Sequence, residues 1–181
     1  MAACDAGEVN VWSFDAPIET ERLVLRPFRA ADLDDVVAFH HDPEVQRFTP
    51  WSARTRDETA GALAEWVLRV AAAAPGDVID YGIEERASGS VIGSVIVFRG
   101  IDGGAEIGYA LRRDRWGLGL ASEAVAAMLA AAETAFGVTH WSARIERGNE
   151  ASIRLIERLG FTREGEGEAG PLRFVRPAAN P

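Results

Sequence analysis

Apolar and polar positions alternate with a period of two over three stretches in the middle of the chain, and with a helical period on either side. Val78 to Glu85, Val91 to Phe98 and Ala105 to Leu111 are rich in β-branched residues and read as strands. Turns at Ala87-Ser88-Gly89-Ser90 and from Gly100 to Gly104 separate them, which predicts an antiparallel meander. Upstream, Leu23, Val24, Leu25 and Phe28, interleaved with Arg22, Arg26 and Arg29, predict a first strand and turn. Asp32 to His41 then shows Leu33, Val36, Val37 and His40 at helical spacing, and Asp42-Pro43 ends that helix. Val45 to Ser52 reads as irregular. Arg56 to Ala73 predicts a second helix with Leu63, Trp66, Val67 and Val70 on its buried side, closed by Pro75-Gly76. Downstream of the meander come a long helix from Leu120 to Phe136, a strand from Trp141 to Glu146, and a helix from Asn149 to Leu159 that stops at Gly160. Phe161 to Glu166 and Leu172 to Arg176 close the sheet as a last pair.

These periods give an α+β fold: one domain with a mixed, mostly antiparallel central sheet flanked by helices. Residues 1–17 read as a flexible N-terminal extension, although Trp12 and Phe14 could dock on the body, and residues 18–177 read as the domain. With 181 residues, 48% hydrophobic and 26% charged, the chain is long enough to bury a sizeable core. A formal charge of −9 argues against broad nucleic-acid binding. Every basic side chain other than histidine is an arginine, so chemistry that needs a lysine is excluded: a Schiff base, a Walker-type loop, a kinase strand lysine. Cys4 is the sole cysteine and allows no intrachain disulfide. The histidines are His40, His41 and His140, and the adjacent pair diverges on a helix, so no metal is expected. No apolar run reaches the roughly 20 residues of a membrane span, and no basic-then-apolar leader opens the chain. A cytoplasmic monomer or homodimer, free of membrane and nucleic acid, is the expectation.

The chemistry gathers where the meander gives way to the long helix. Glu106 to Leu111 enters a short arginine-rich loop, and Trp116-Gly117-Leu118-Gly119-Leu120-Ala121 turns into the helix. Glycines at a helix N-terminus suit an anion, phosphate above all, because the first amides lack intrahelical partners. A dinucleotide fold would want a small residue where Ser122 stands, and a place in the first βαβ unit. A purely structural turn is the plainer alternative. Three features weaken it: Glu106 on the entering strand, Asn149-Glu150-Ala151-Ser152 opening the later helix, and Leu159-Gly160-Phe161 ending it.

Together, Trp-Gly-Leu-Gly-Leu-Ala-Ser-Glu-Ala and Asn-x-x-Ser…Leu-Gly-Phe resemble the GCN5-related N-acetyltransferases, GNAT for short. Within them they are most similar to the RimJ/RimL branch, which acetylates protein N-termini. The opening Thr20-Glu21-Arg22-Leu23-Val24-Leu25-Arg26-Pro27 is similar to the start of that branch. The resemblance covers about residues 18 to 176. It implies acetyl-CoA as co-substrate, with its pyrophosphate on the backbone of Trp116, Gly117, Leu118, Gly119, Leu120 and Ala121. It places the pantetheine arm beside Ala110 and Leu111, adding to the sheet like a short strand. Asn149 is expected to hydrogen-bond that arm, a role that can coexist with capping its helix. Asp114 departs from the family's Gln or Arg, and a carboxylate would repel phosphate, so Arg112 or Arg115 is expected to take over. Ile156 stands where many members carry a tyrosine as general acid.

The implied reaction is attack of a neutral primary amine, on a protein N-terminus or a small molecule, upon the thioester. Glu106 is the candidate base, directly or through water; an ion pair with an arginine is its alternative. Ser152 is the candidate partner of the departing sulfur, or simply a polar helix start. Backbone amides at Tyr109 to Leu111 could polarise the carbonyl. Phe48, Trp51 and Trp66 are candidates to line the acceptor pocket, with His40 or His41 at its edge, and core packing is open to each aromatic. The same fold could also bind an acyl-CoA without turnover, as a sensor or assembly module.

Overall fold

The computed structural model describes residues 10–52, 54–165 and 170–178. Cys4, the first nine residues of the expected extension and Glu166 lie outside them. In chain order the elements are β1 (Trp12–Ser13), β2 (Ile18–Glu19), β3 (Leu23–Pro27), α1 (Leu33–His40), α2 (Pro43–Gln46), α3 (Arg56–Trp66), β4 (Ala71–Ala72), β5 (Val78–Glu85), β6 (Val91–Arg99), β7 (Gly104–Leu111), α4 (Leu120–Phe136), β8 (His140–Ile145), α5 (Glu150–Arg158), β9 (Thr162–Arg163) and β10 (Leu172–Pro177). Eight strands form one sheet in the order β2-β3-β5-β6-β7-β8-β10-β9. Every neighbouring pair is antiparallel except β7 and β8, so the mixed, mostly antiparallel sheet expected from the sequence is the one observed. Among the described residues no helix is long and apolar enough to cross a membrane.

The main core lies between one sheet face and α4. Leu120, Ala124, Val125, Met128, Leu129 and Ala132 form the buried stripe of that helix, against Ile79, Tyr81, Val95, Ile107 and Trp141. Glycines in the left-handed region bound it, Gly119 at one end and Gly137 at the other. A smaller cluster of Phe28, Val36, Phe39, Leu63, Trp66 and Val91 packs α1 and α3 over β6. Thr55 and Glu58 begin α3 with a capping box, each side chain accepting the other's backbone N–H.

Two local expectations change. The helix expected to reach Ala73 stops at Trp66, because Ala71–Ala72 instead pairs with Trp12–Ser13. Trp12 is buried and stacks on Phe136 with ring centroids 5.3 Å apart. Burying such a ring contributes on the order of 3 kcal/mol before the entropy of ordering its segment. That outweighs the helix propensity of a few alanines. The expected irregular stretch from Val45 begins inside α2, whose start is legible: Asp42 accepts from the Glu44 N–H at 2.9 Å, and Pro43 fits the first turn.

Two buried titratable groups oppose each other in pH dependence. Burial, helped by the charges of Arg54 and His41, lowers the His40 pKa to about 4. Burial pushes Asp80 up to about 7, against Arg69 at 3.9 Å. Between pH 4.5 and 6.5 unfolded His40 binds a proton that the native ring refuses, so its contribution to stability falls as pH falls. Over the same range native Asp80 holds a proton that the unfolded carboxylate releases, so its contribution falls as pH rises. The two slopes nearly cancel. Urea unfolding across this window should therefore give a shallow pH dependence for the wild type. Asp80→Asn should become less stable toward pH 4.5, and His40→Phe less stable toward pH 6.5, each by roughly 2 kcal/mol across the window. Parallel profiles for all three proteins would contradict this assignment.

Candidate active site

β7 and β8 run side by side only briefly. Their paired residues are Gly104–His140, Ala105–Trp141 and Glu106–Ser142. At the first of these pairs the imidazole lies over the glycine, where a Cβ on Gly104 would come 2.2 Å from His140 Nε2. Beyond Glu106 the pairing ends, while β8 stays bonded to β10 along its whole length. The far half of β7 thus has β6 on one side and an open edge on the other. The Arg112 N–H donates to the Ile92 carbonyl at 2.7 Å, so by antiparallel alternation the amides of Tyr109 and Leu111 face that open edge. The Leu111 carbonyl on the same edge accepts the Trp116 indole N–H at 2.7 Å.

The loop after β7 sets up the second component. Gly117 and Gly119 have φ of +75° and +78°, a region that L side chains resist. The amides of Gly117, Leu118 and Gly119 donate to no acceptor among the described residues. Those of Leu120, Ala121 and Ser122 are in the first turn of α4, where no intrahelical acceptor exists. The chain therefore offers consecutive free donors from 117 to 122, at the positive end of a 17-residue helix.

Between this loop and the N-terminus of α5 lies a cleft of about 570 Å³. Of the expected residues it brings together Ala110, Leu111, Arg115, Trp116, Gly117, Gly119, Leu120, Ala121, Asn149 and Ser152, and Phe48 also reaches its lining. Leu118 is 55% exposed and borders a second hollow with Arg22. Glu106 sits at the last paired position of β7, outside the lining, with its carboxylate 2.9 Å from the Arg144 guanidinium. Trp51 and Trp66 also stand outside it. Trp51 stacks on His40 at 4.3 Å, and Trp66 packs against Phe28 at 5.8 Å and His40 at 4.9 Å. His41 is bonded to the Thr59 hydroxyl at 3.1 Å.

Sequence reasoning missed Val45, Thr49, Ser122, Gly148, Arg154 and Arg158, which line the cleft as well. The signal for the arginines was present, since Glu150, Arg154 and Arg158 recur every four residues and so share a helix face. Arg154 and Arg158 make no ion pair among the described residues. They outnumber Glu150, whereas Arg115 is matched by Glu85 at 3.2 Å and Asp114 at 2.9 Å, so the α5 side of the cleft is cationic in a protein of net charge −9. Asp114, the awkward carboxylate of the loop, is tied to Arg112 at 2.7 Å and Arg115 at 2.9 Å. The bond from Arg112 holds its carboxyl below the usual carboxylate range, so it stays a charged partner of the two arginines. Arg112 is not in the lining; Arg115 is.

Around the start of α5, Asn149 Oδ1 accepts the Ser152 N–H at 3.2 Å, which fixes the helix cap. The Tyr109 hydroxyl donates to the Ser152 carbonyl at 3.4 Å. Burial pushes the Tyr109 pKa up to about 12, so it remains a neutral phenol at physiological pH. Ile156 is fully buried in the main core, leaving Tyr109 and Ser152 as neighbouring hydroxyls of the cleft.

The chain matches a family model described as an acetyltransferase (GNAT) domain over residues 22–162. It is 33% identical over 149 residues to p20, an uncharacterized N-acetyltransferase of Bacillus licheniformis, covering 81% of this chain and 82% of p20. Among solved structures of similar fold is RimL, a ribosomal-protein α-N-acetyltransferase in complex with coenzyme A. It is 19% identical with a TM-score of 0.74, over 89% of this chain and 97% of that one. A ribosomal-protein alanine acetyltransferase from Vibrio fischeri gives 17% and 0.73, over 91% and 97%. At such identities the structural likeness speaks for the fold alone. The domain match and the relative at one-third identity speak for descent: this chain belongs to the GCN5-related N-acetyltransferase family, enzymes whose acetyl donor is acetyl-CoA.

Proposed function

We propose that the protein transfers the acetyl group of acetyl-CoA to a primary amine, a protein N-terminal α-amine or that of a small molecule, by direct attack on the thioester. The observation that carries this reading is the run of free amides from 117 to 122 facing a cationic cleft beside an open strand edge. A diphosphate suits the amides, with Arg115 nearby in place of the expected loop glutamine or arginine. The amide-bearing pantetheine arm suits the unpaired edge at Tyr109 and Leu111, running past Ala110 in the lining, and Asn149. Arg154 and Arg158 add charge for the remaining phosphate of the donor. Solved proteins of similar fold include acetyltransferases of ribosomal proteins, so protein N-termini are the first acceptors to test.

In this reading the amine reaches the cleft past Phe48, with Val45 and Thr49 alongside, while Trp51 and Trp66 pack around His40 outside the lining. The amine must be neutral to attack. Glu106 takes its proton through water, since the carboxylate stands back from the lining and is shared with Arg144. The new C–N bond forms as the C–S bond breaks, amides at Tyr109 and Leu111 stabilise the oxygen that gains charge, and the nitrogen's remaining extra proton passes to the leaving thiolate, which the Ser152 hydroxyl hydrogen-bonds.

Calorimetric titration should show micromolar binding of acetyl-CoA and none of NADH or ATP at the same concentrations. Gly119→Trp should abolish that binding, because its Cβ would lie 3.6 Å from Arg22 Nη2, crowding that guanidinium, and it forces a bulky side chain into the left-handed region. Undiminished affinity in this variant would place the diphosphate elsewhere. Thiol release with a panel of amines, N-terminal peptides among them, should give steady turnover. Glu106→Gln should lower kcat by about 10²-fold or more while acetyl-CoA affinity holds within about twofold. Turnover unchanged across the pH range would remove Glu106 from the base role.

A further inference from the structure

One carboxylate joins the N-terminal strands to the glycine turn across about a hundred residues of sequence. Glu123 Oε1 accepts the Thr20 hydroxyl at 2.6 Å and the Arg22 backbone N–H at 3.0 Å. Its Oε2 accepts Arg22 Nε at 2.7 Å and Nη2 at 2.6 Å. The same guanidinium then donates from Nη1 to the Leu118 carbonyl at 2.9 Å.

That last bond has a directional consequence. A trans peptide is planar, with its C=O and N–H pointing opposite ways. Holding the Leu118 oxygen toward Arg22 therefore sends the Gly119 N–H away from Arg22. Arg22 and Leu118 border the outer hollow, whereas Gly119 borders the cleft, so the amide is aimed into the cleft. A second consequence is electrostatic. Glu123 stands in the first turn of α4, where a free carboxylate would favour the helix end yet repel an incoming anion and compete for its donors. Thr20 and Arg22 occupy both of its oxygens and balance its charge.

Building on the acetyl-CoA reading, we propose that Arg22 and Glu123 are positioning residues for the diphosphate of the donor. They fix the direction of the Gly119 amide and keep the carboxylate of α4 from opposing the ligand. Neither residue touches the thioester, so the effect belongs to donors that carry a diphosphate and to no others.

The test compares acetyl-CoA with acetylpantetheine, which has the same thioester arm without diphosphate or adenosine. Calorimetric Kd values for both donors are measured with the wild type, Arg22→Ala, Arg22→Lys and Glu123→Gln. Arg22→Ala should weaken acetyl-CoA by about tenfold or more, the size of one charge-assisted hydrogen bond, and leave acetylpantetheine within about twofold. Arg22→Lys keeps the charge but loses the planar fork, so it should recover only part of the loss. Glu123→Gln retains the shape of the side chain and should show the same donor selectivity to a smaller degree. Equal losses on both donors would assign the pair a merely structural role and overturn the proposal. Unchanged acetyl-CoA affinity in both Arg22→Ala and Glu123→Gln would overturn it too. A wild type that ignores acetyl-CoA would sink the parent reading first, and the positioning role with it.

Discussion

The structure turns on backbone groups that the fold leaves unpaired. A sheet normally uses up the N–H and C=O groups of an inner strand on both sides, and an unpaired buried amide is costly. Here β7 is inner by position yet open along its far half, because β8 leaves it after Glu106 and stays with β10. The next free amides follow within a few residues, in the loop and first turn of α4. Both sets face one cleft. In the proposed reading a ligand with a diphosphate at one end and an amide-bearing arm at the other meets both needs, recognised largely by main chain rather than by particular side chains.

Charge is arranged around that backbone with arginine alone. The guanidinium fork satisfies several acceptors at once, which lets one residue organise a junction. Arg26 does so in the interior, where it bonds Asp32 at 2.8 Å and Glu84 at 2.6 Å and ties the turn after β3 to β5. Arg22 does so on the outer side of the glycine turn, and Arg112 and Arg115 do so around Asp114. Most of these cations are matched by carboxylates. Arg154 and Arg158 are the contrast, two cations of one helix face in the lining of the cleft. These two place unmatched positive charge where an anionic donor would enter.

Much of the fold was legible because its elements have strong periods and clear punctuation. The meander from Val78 to Leu111 and the helix from Leu120 to Phe136 appear within a residue of expectation, bounded by the glycines that suggested them. Elements whose identity depended on a distant partner were not legible. Ala71–Ala72 looks like the tail of a helix until Trp12–Ser13 pairs with it, and α2 was obscured because Asp42-Pro43 was read only as a stop. Within the site, the glycine turn, Asn149 and Ser152 could be named from their motifs, whereas Val45 and Thr49 carry no local mark of their place in the lining.

The sequence by itself determined the order of the longer elements, the glycine-bounded start of α4, the capping asparagine of α5 and the absence of lysine chemistry. Each of these is a property of a few adjacent residues or of composition. Tertiary structure decided where β7 parts from β8, that Glu106 faces Arg144, and that Trp51 and Trp66 pack around His40 outside the cleft lining. It also decided that Thr20 and Arg22 would meet Glu123. The physical reason is one of range: propensity and capping act over a turn or two of chain, whereas pairing, burial and ion pairs join residues that only the completed fold brings together.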